Sequence, residues 1–432
     1  MSDSPEIPLA PPAGMRDLLP PDAATRRALV DVLLERFRLH GYELVTTPVF
    51  EHAGVIERGL WSIDRRELFR FVEPESGEVA LLRPDITPQI ARIVATQLAD
   101  RPAPWRLCYA GSVIRQRRDR ARRPRRVFQA GVELIGRGDI QADLEGIRLA
   151  DDALEAVGLA GHVVELHLPS LGWGALAAVE AGARPTAAEA LARKDAASLE
   201  EVLRGTTVER QARDRLLAMT GLYGDPGVLE AARPLFDAPA EREALDRLDH
   251  MIAALRGRPL RGSLQVDLGE VRDMAYYSGI SFAILADGPG EPVGGGGRYD
   301  DLLTRFDAPA PATGFGLDVG NLEWALRAQG TPPNGVEPGR VVVFGGSAPD
   351  REALARDART TGLTAAVLDA AGPAEALAYA EAWGYDAAVE LGPRALTARR
   401  REDGAERRLP RAEQPWAALR RWIDGGSEEA DG

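Results

Sequence analysis

The sequence is short of several things. It has one cysteine, Cys108, in 432 residues. A disulfide framework needs pairs and a thiolate zinc site needs several cysteines, so both are excluded. Five histidines leave little for a His-based metal cluster. Lysine is rarer still: of 53 basic residues only Lys194 is a lysine, and the other 52 are arginines. No apolar run approaches the ~18 residues that a membrane-spanning helix needs. Residues 1–10 carry neither a basic n-region nor an apolar core, so no secretory leader is expected and a soluble cytoplasmic protein is. Positive charge is in deficit too, 53 basic against 66 acidic side chains, for −13 at pH 7. Phosphate backbones are held by excess positive charge, so this balance argues against a general nucleic-acid binder.

What is there is an ordinary globular composition, with 45% hydrophobic and 28% charged residues, which excludes collagen-like and wholly disordered chains. The length suggests two or three domains. Residues 23–40 place Leu29, Val30, Leu33, Leu34 and Phe37 at i, i+4 spacing, which predicts an amphipathic helix ending at Gly41. Residues 42–50 read as a strand carrying Pro48, and 79–82 as a short strand. A helix over 87–98 has Pro88 in its first turn. Strands over 107–114 and 127–135 flank an arginine-dense stretch, which suggests an antiparallel hairpin with a long connection. A helix over 144–157 and a strand over 163–168 follow, and 172–258 is almost wholly helical in pattern. Strand character returns at 264–268 and 277–285. Residues 330–339, with three prolines and three glycines, read as a linker. Strand–helix alternation over 340–424 then predicts a small α/β domain with a mostly parallel sheet. An acidic tail from 425 is expected to fray.

Five constellations could carry chemistry. Residues 115–126 hold eight arginines and one acid, Asp119, which is either an anion site or a solvated basic loop. Gly294-Gly295-Gly296-Gly297-Arg298-Tyr299-Asp300 lets the backbone approach a ligand closely, or makes a tight turn. It has neither the Lys-Ser/Thr of a P-loop nor dinucleotide spacing. Arg272-Asp273-Met274-Ala275-Tyr276-Tyr277-Ser278-Gly279 places two tyrosines on opposite faces if it is a strand. Arg83-Pro84-Asp85-Ile86-Thr87 opens a helix, where Asp85 or Thr87 could cap it or the carboxylate could take an ammonium group. Gln129 and Glu133 share one strand face with Gly131 between them, which would leave open space above the strand.

Together these motifs resemble the histidyl-tRNA synthetase family over nearly the whole chain. Gly14-Met15-Arg16-Asp17-Leu18-Leu19-Pro20 is similar to the family's N-terminal signature, and the helix ending before Pro48 resembles class II motif 1, a dimer-interface element. Residues 115–133 resemble motif 2, and 272–279 and 295–300 the two histidine-specific signatures. The resemblance implies an α+β fold: a class II synthetase-like antiparallel sheet flanked by helices, with a helical insertion and a small C-terminal α/β domain. The expected domains are a core over 1–330 with the insertion at 172–258, an anticodon-binding-like domain over 340–424, and the tail over 425–432. It implies a histidine pocket in which Asp85, Thr87 and Gln129 hold the α-amino group and Arg115 faces the carboxylate. Glu133 would meet the imidazole with Tyr277 or Tyr299, and Arg272 and Tyr276 belong to the same site. Asp85 is one methylene shorter than the family's usual Glu.

The departures fall on the ATP side. Arg117 stands where motif 2 carries an acid that reads adenine, and Val127 where an aromatic stacks on it. Asn321 stands where motif 3 carries an arginine for the γ-phosphate, and a neutral amide cannot neutralise phosphate charge. Asp273 and Ala275 replace the family's Gly and Asp. A synthetase fold with a histidine pocket and no ATP machinery resembles the family's regulatory branch, subunits that partner the short-form catalytic subunit of ATP phosphoribosyltransferase. That implies no catalytic residues, no metal and no cofactor. Its expected partners are that catalytic subunit, L-histidine and a second copy of the chain, and tRNA is not expected. Two alternatives stand beside it: an active histidyl-tRNA synthetase, and an RNA-binding paralogue using the arginine-rich loop.

Overall fold

The computed structural model describes residues 9–59, 68–115, 125–271, 277–330, 339–410 and 415–423. Most of the arginine-rich loop with Arg117, the stretch with Arg272, Asp273, Ala275 and Tyr276, most of the linker and the acidic tail lie outside them. Contacts divide the chain into two units, Met1–Asp17 with Leu29–Asn334, and Leu18–Ala28 with Gly335–Gly432.

Helix α1 (Asp22–Leu39) buries Leu29, Val30, Leu33 and Phe37, the periodic set, and the chain leaves it through Gly41 at φ 82°. There follow β1 (Glu43–Leu44), β2 (Phe50–His52), α2 (Ala53–Gly59), β3 (Arg70–Val72), β4 (Val79–Leu82) and α3 (Thr87–Thr96). Next come β5 (Trp105–Ile114), β6 (Arg126–Ile135), α4 (Ile140–Ala156) and β7 (Val163–His167). The helical stretch holds α5 (Pro169–Leu176), α6 (Arg184–Ala192), α7 (Ala196–Arg204), α8 (Arg210–Met219), the short β8 (Tyr223–Gly224), α9 (Val228–Ala232) and α10 (Pro239–Gly257). The unit closes with β9 (Ser263–Asp267), β10 (Ser281–Leu285), β11 (Gly294–Arg298), β12 (Ala312–Asp318) and α11 (Val319–Ala328).

Nine of these strands form one sheet in the order β1-β5-β6-β12-β11-β10-β7-β9-β8. Only β1–β5 and β7–β9 pair in parallel; the rest are antiparallel. The α5–α10 helices thus leave the sheet after β7 and return into its neighbour β9. Direct cross-strand partners share a face. One face carries Cys108, Ala130, Val132, Phe315 and Leu317 into the main core with α1 and α4. The other carries Leu107, Tyr109, Val113, Ile135 and Ala312 against Ile86, Ile90 and Val94 of the α3 segment. The candidate site lies on this second face.

Four sequence expectations need correction. Residues 42–50 do not form one strand. Pro48 falls between β1 and β2, and its carbonyl accepts from Arg83 Nη1 (3.1 Å) and Gln89 Nε2 (3.0 Å) rather than from a neighbouring strand. The run Gly294–Gly297 is neither loop nor turn but the body of β11. Its glycines are required because neighbouring strands press in: a Cβ at Gly295 would lie 2.7 Å from the Phe282 carbonyl oxygen, and one at Gly296 would strike the Gly314 carbonyl. Tyr277 precedes β10, which starts only at Ser281, so the alternating-face argument does not apply to it.

In the second unit, β13 (Arg340–Phe344), α12 (Ala348–Thr360), β14 (Thr364–Val367), α13 (Pro373–Trp383), β15 (Ala387–Leu391), β16 (Ala395–Arg400), β17 (Glu406–Pro410) and α14 (Pro415–Ile423) follow in order. The fourth correction is here: the sheet β14-β13-β15-β16-β17 is mixed, parallel in its first two pairings and antiparallel in the last two. The β16–β17 hairpin turns through Gly404 at φ 69°, a left-handed conformation that glycine adopts without strain.

Candidate amino-acid pocket

The floor of the site is made of missing side chains. Register places Gly111 opposite Gln129, Gly131 opposite Tyr109, and Glu133 opposite Leu107 on β5 and β6. Across β12, Glu133 faces Gly314 and Gly131 faces Gly316. Those two pair onward with Gly297 and Gly295 of β11. Six glycines on one face of four strands let the Arg83, Tyr109 and Tyr299 side chains and the Glu133 carboxylate lie close over the sheet, a polar bed bordered by Glu133, Gln129 and Tyr109.

Glu133 is the centre of the bed. It is 2% exposed. Thr87 Oγ1, from the first turn of α3, donates to its Oε1 at 2.6 Å, and the Tyr299 hydroxyl donates to its Oε2. Gly314 makes that pair possible, since a Cβ there would meet both Glu133 Oε2 and the Tyr299 hydroxyl. Burial, reinforced by the Asp85 carboxylate and opposed by the Thr87 hydrogen bond, pushes the Glu133 carboxyl well above the ordinary range. Tyr277 lies beside Tyr299 with ring centroids 6.5 Å apart. Asp85 accepts the Thr87 amide (3.1 Å) on one oxygen and Arg115 Nη2 (3.1 Å) on the other, while Arg115 Nε donates to the Pro84 carbonyl at 2.7 Å. Asp85 therefore steadies the start of α3 and holds Arg115. Gln129 is half-buried, and its Oε1 is buried with no hydrogen-bond partner.

Of the nine residues expected at the pocket, the structure joins Arg115, Asp85, Thr87, Glu133, Tyr299 and Tyr277 in one chain of contacts. Gln129 sits one glycine away from Glu133 on the same face. Arg272 and Tyr276 lie outside the described residues. The open space expected above Gly131 is occupied: a Cβ there would be 2.6 Å from the Tyr109 hydroxyl. Tyr109 is the residue that sequence reasoning misses. It is buried, hydrogen-bonds with the Thr87 side chain, and its phenol is pushed far up by burial beside Glu133 and Asp85. The signal was Gly131 itself, since a strand glycine often marks where a neighbour's bulk must pass.

The ATP-side departures have structural counterparts. Asn321, in the first turn of α11, donates its Nδ2 to the Pro292 carbonyl at 2.9 Å. The helix start is capped by Asp318, which accepts the Gly320 and Asn321 amides. A carboxylate and an amide thus occupy the helix start that the resemblance equates with motif 3. Val127 packs with the Ile86–Ile90 cluster. Among the described residues no group of His, Cys, Asp and Glu is arranged to hold a metal ion, and no helix is long and apolar enough to cross a membrane.

The family model for histidyl-tRNA synthetase matches residues 14–322, which takes in the whole of this sheet. The ATP phosphoribosyltransferase regulatory subunit of Anaeromyxobacter dehalogenans is 43% identical over 344 residues, 79% of this chain and 98% of the relative. The chain belongs to the histidyl-tRNA synthetase-like family of ATP phosphoribosyltransferase regulatory subunits. A regulatory subunit of that family from Moorella thermoacetica is 40% identical over 84% of this chain and 92% of its own. A Bacillus halodurans crystal structure described as an ATP phosphoribosyltransferase regulatory subunit/histidyl-tRNA synthetase superposes with a TM-score of 0.76 at 30% identity, covering 90% of this chain and 99% of that one. The Nostoc histidyl-tRNA synthetase, 18% identical, shares the fold at a TM-score of 0.75 over 97% of this chain and all of its own.

Proposed function

We propose that the chain is a non-catalytic regulatory subunit that activates the short catalytic subunit of ATP phosphoribosyltransferase and conveys feedback inhibition by histidine. One contrast carries this reading. The polar bed around Glu133 is assembled and offers an unsatisfied Gln129 acceptor, while Asn321 spends its amide on Pro292 where the synthetases place a phosphate-binding arginine. A free amino acid suits the bed: acceptors for an ammonium group, Arg115 for a carboxylate, and a carboxyl–phenol pair for a ring that both donates and accepts. Coupling then requires histidine to favour one state of the complex over another.

The deciding experiment mixes this protein with a short-form catalytic subunit. Turnover should rise without histidine and fall as histidine is added. Robust histidine-dependent ATP–pyrophosphate exchange by this chain alone would instead establish a synthetase.

The same reading includes a homodimer. Val72 and Val79, direct partners on one face of the β2-β4-β3 sheet, are 64% and 42% exposed. Apolar patches of this kind mark protein contacts. Val72→Asp with Val79→Asp is expected to shift the mass in solution, by light scattering after gel filtration, from dimer to monomer. An unchanged dimer mass would remove this patch from the interface.

A further inference from the structure

Lys194 is the sole lysine in a chain that otherwise uses arginine at every basic position. Its backbone is left-handed, with φ 59°, a conformation in which glycine alone avoids a steric penalty. Composition thus favours arginine here and the backbone favours glycine, so the reason for lysine lies in its side chain. Lys194 sits between α6 and α7, where Asp195 caps α7. Its ammonium donates to Asp267 Oδ1 at 2.6 Å and passes over Gly269, where a Cβ would lie 3.0 Å from Nζ. An ammonium is a compact point charge and a guanidinium a wide fork, so this slot suits lysine and excludes arginine.

Asp267 ends β9 and is 5% exposed. The same Oδ1 accepts the Gly269 amide at 2.9 Å. His167 is its cross-strand partner and is 1% exposed; its Nε2 meets Glu165 Oε1 at 2.9 Å, while its Nδ1 is buried without a partner. Lys194 is the cation paired with Asp267. The pairings also place Asp267, His167, Ser281, Gly297, Gly314 and Glu133 in a single row of the sheet. Beyond Asp267 the chain runs among the α5–α8 helices. The Leu268 amide donates to the Leu222 carbonyl (2.9 Å), and Gly172 leaves room for Val271. Six residues after Val271 comes Tyr277, beside Tyr299.

We propose that Lys194 is a positioning residue for the amino-acid pocket, acting through Asp267 to fix the α5–α10 insertion to the strand row that ends at Glu133. This rests on the reading of that bed as a histidine site. Withdrawing the ammonium strands a buried carboxylate beside Glu165, so the joint is either made or broken, with little between. A joint of that kind lets pocket occupancy reach the insertion, and the reverse.

The test uses the full chain, with histidine affinity measured by calorimetry and stability by thermal unfolding. Lys194→Met should weaken histidine binding at least tenfold and lower the unfolding midpoint. Lys194→Met with Asp267→Asn leaves no unpaired buried charge, so it should regain the midpoint but keep the weakened binding. Joint recovery of both would show a purely structural pair and overturn the proposal, as would unchanged affinity in the single variant. Because the chain has one lysine, acetic anhydride followed by peptide mass analysis reports on Lys194 directly. Histidine should slow its acylation at least fivefold, and equal rates would also overturn the idea. Glu133→Gln separates the two levels. Binding lost there but unaltered in Lys194→Met sinks this inference alone, and a parent protein that does not bind histidine sinks both.

Discussion

Glu133→Gln is expected to weaken histidine binding about 100-fold, or ~2.7 kcal/mol, and to abolish histidine inhibition of the assembled complex. Glutamine keeps the volume that Gly314 and Tyr299 are built around, so packing is not at issue. What it loses is a carboxylate in a nearly closed site, where charge-assisted hydrogen bonds are strongest. A second readout comes from the proton. In the ligand-free protein burial holds the Glu133 carboxyl well above its usual range. For a raised acid, the contribution to stability is whole below the unfolded-state value and is lost as pH rises through the folded one. An arriving imidazole that donates a ring N–H to Glu133 favours its charged form, so binding should expel a proton. Over the pH range in which the free carboxyl is protonated, the binding heat should therefore vary with buffer ionisation enthalpy in the parent and not in Glu133→Gln. Inhibition unaltered by the substitution would place the histidine site elsewhere.

Arg298→Met is expected to destabilise the fold by about 3–5 kcal/mol, the usual result of orphaning a buried charge. Arg298 is 3% exposed and pairs with Asp143 (2.6 Å), itself 5% exposed, and with Asp300 (3.0 Å). It also donates to the Arg137 carbonyl at 3.1 Å. The pairs outweigh the cost of burial and hold its guanidinium above its ordinary value. Adding Asp143→Leu should restore much of the loss, since a hydrophobic pair can replace an ionic one at little cost. Chemical unfolding followed by far-UV circular dichroism measures both. A single variant as stable as the parent would mean that Arg247, which also reaches Asp143 at 3.1 Å, suffices as its partner. Tyr299 is the next residue, so the same network positions the phenol that meets Glu133.

Much of the architecture was legible because the strongest periodic segments are those that a core fills. The α1 pattern and the β5–β6 hairpin fall within a few residues of expectation, since Leu29, Leu33 and Phe37, or Val132 and Leu134, have only one side to bury. The failures share a different cause. A strand of four glycines has no β-branched or aromatic signature, and β11 exists because its neighbours need closeness, which only pairing reveals. Pro48 read as part of a strand because its competitor for hydrogen bonds is Arg83, 35 positions away. In the site, the polar identities of Asp85, Thr87, Gln129 and Glu133 were readable from motif spacing. Tyr109 was not, because its role depends on facing Gly131 across the hairpin. Arg115 could be named, yet its tie to Asp85 and the Pro84 carbonyl needed three dimensions.

The glycine-paved bed bears on how this protein tolerates change. A survey that trims each side chain to alanine would find Glu133 and Thr87 but could take nothing from Gly111, Gly131, Gly295, Gly297, Gly314 or Gly316. At most of these positions the damaging substitution is the gain of one carbon: at Gly131 it meets Tyr109, at Gly314 it meets Glu133, and at Gly295 it meets a neighbouring backbone. The close fit of this bed is recorded in the chain as absences, drawn by methyl groups that are not there.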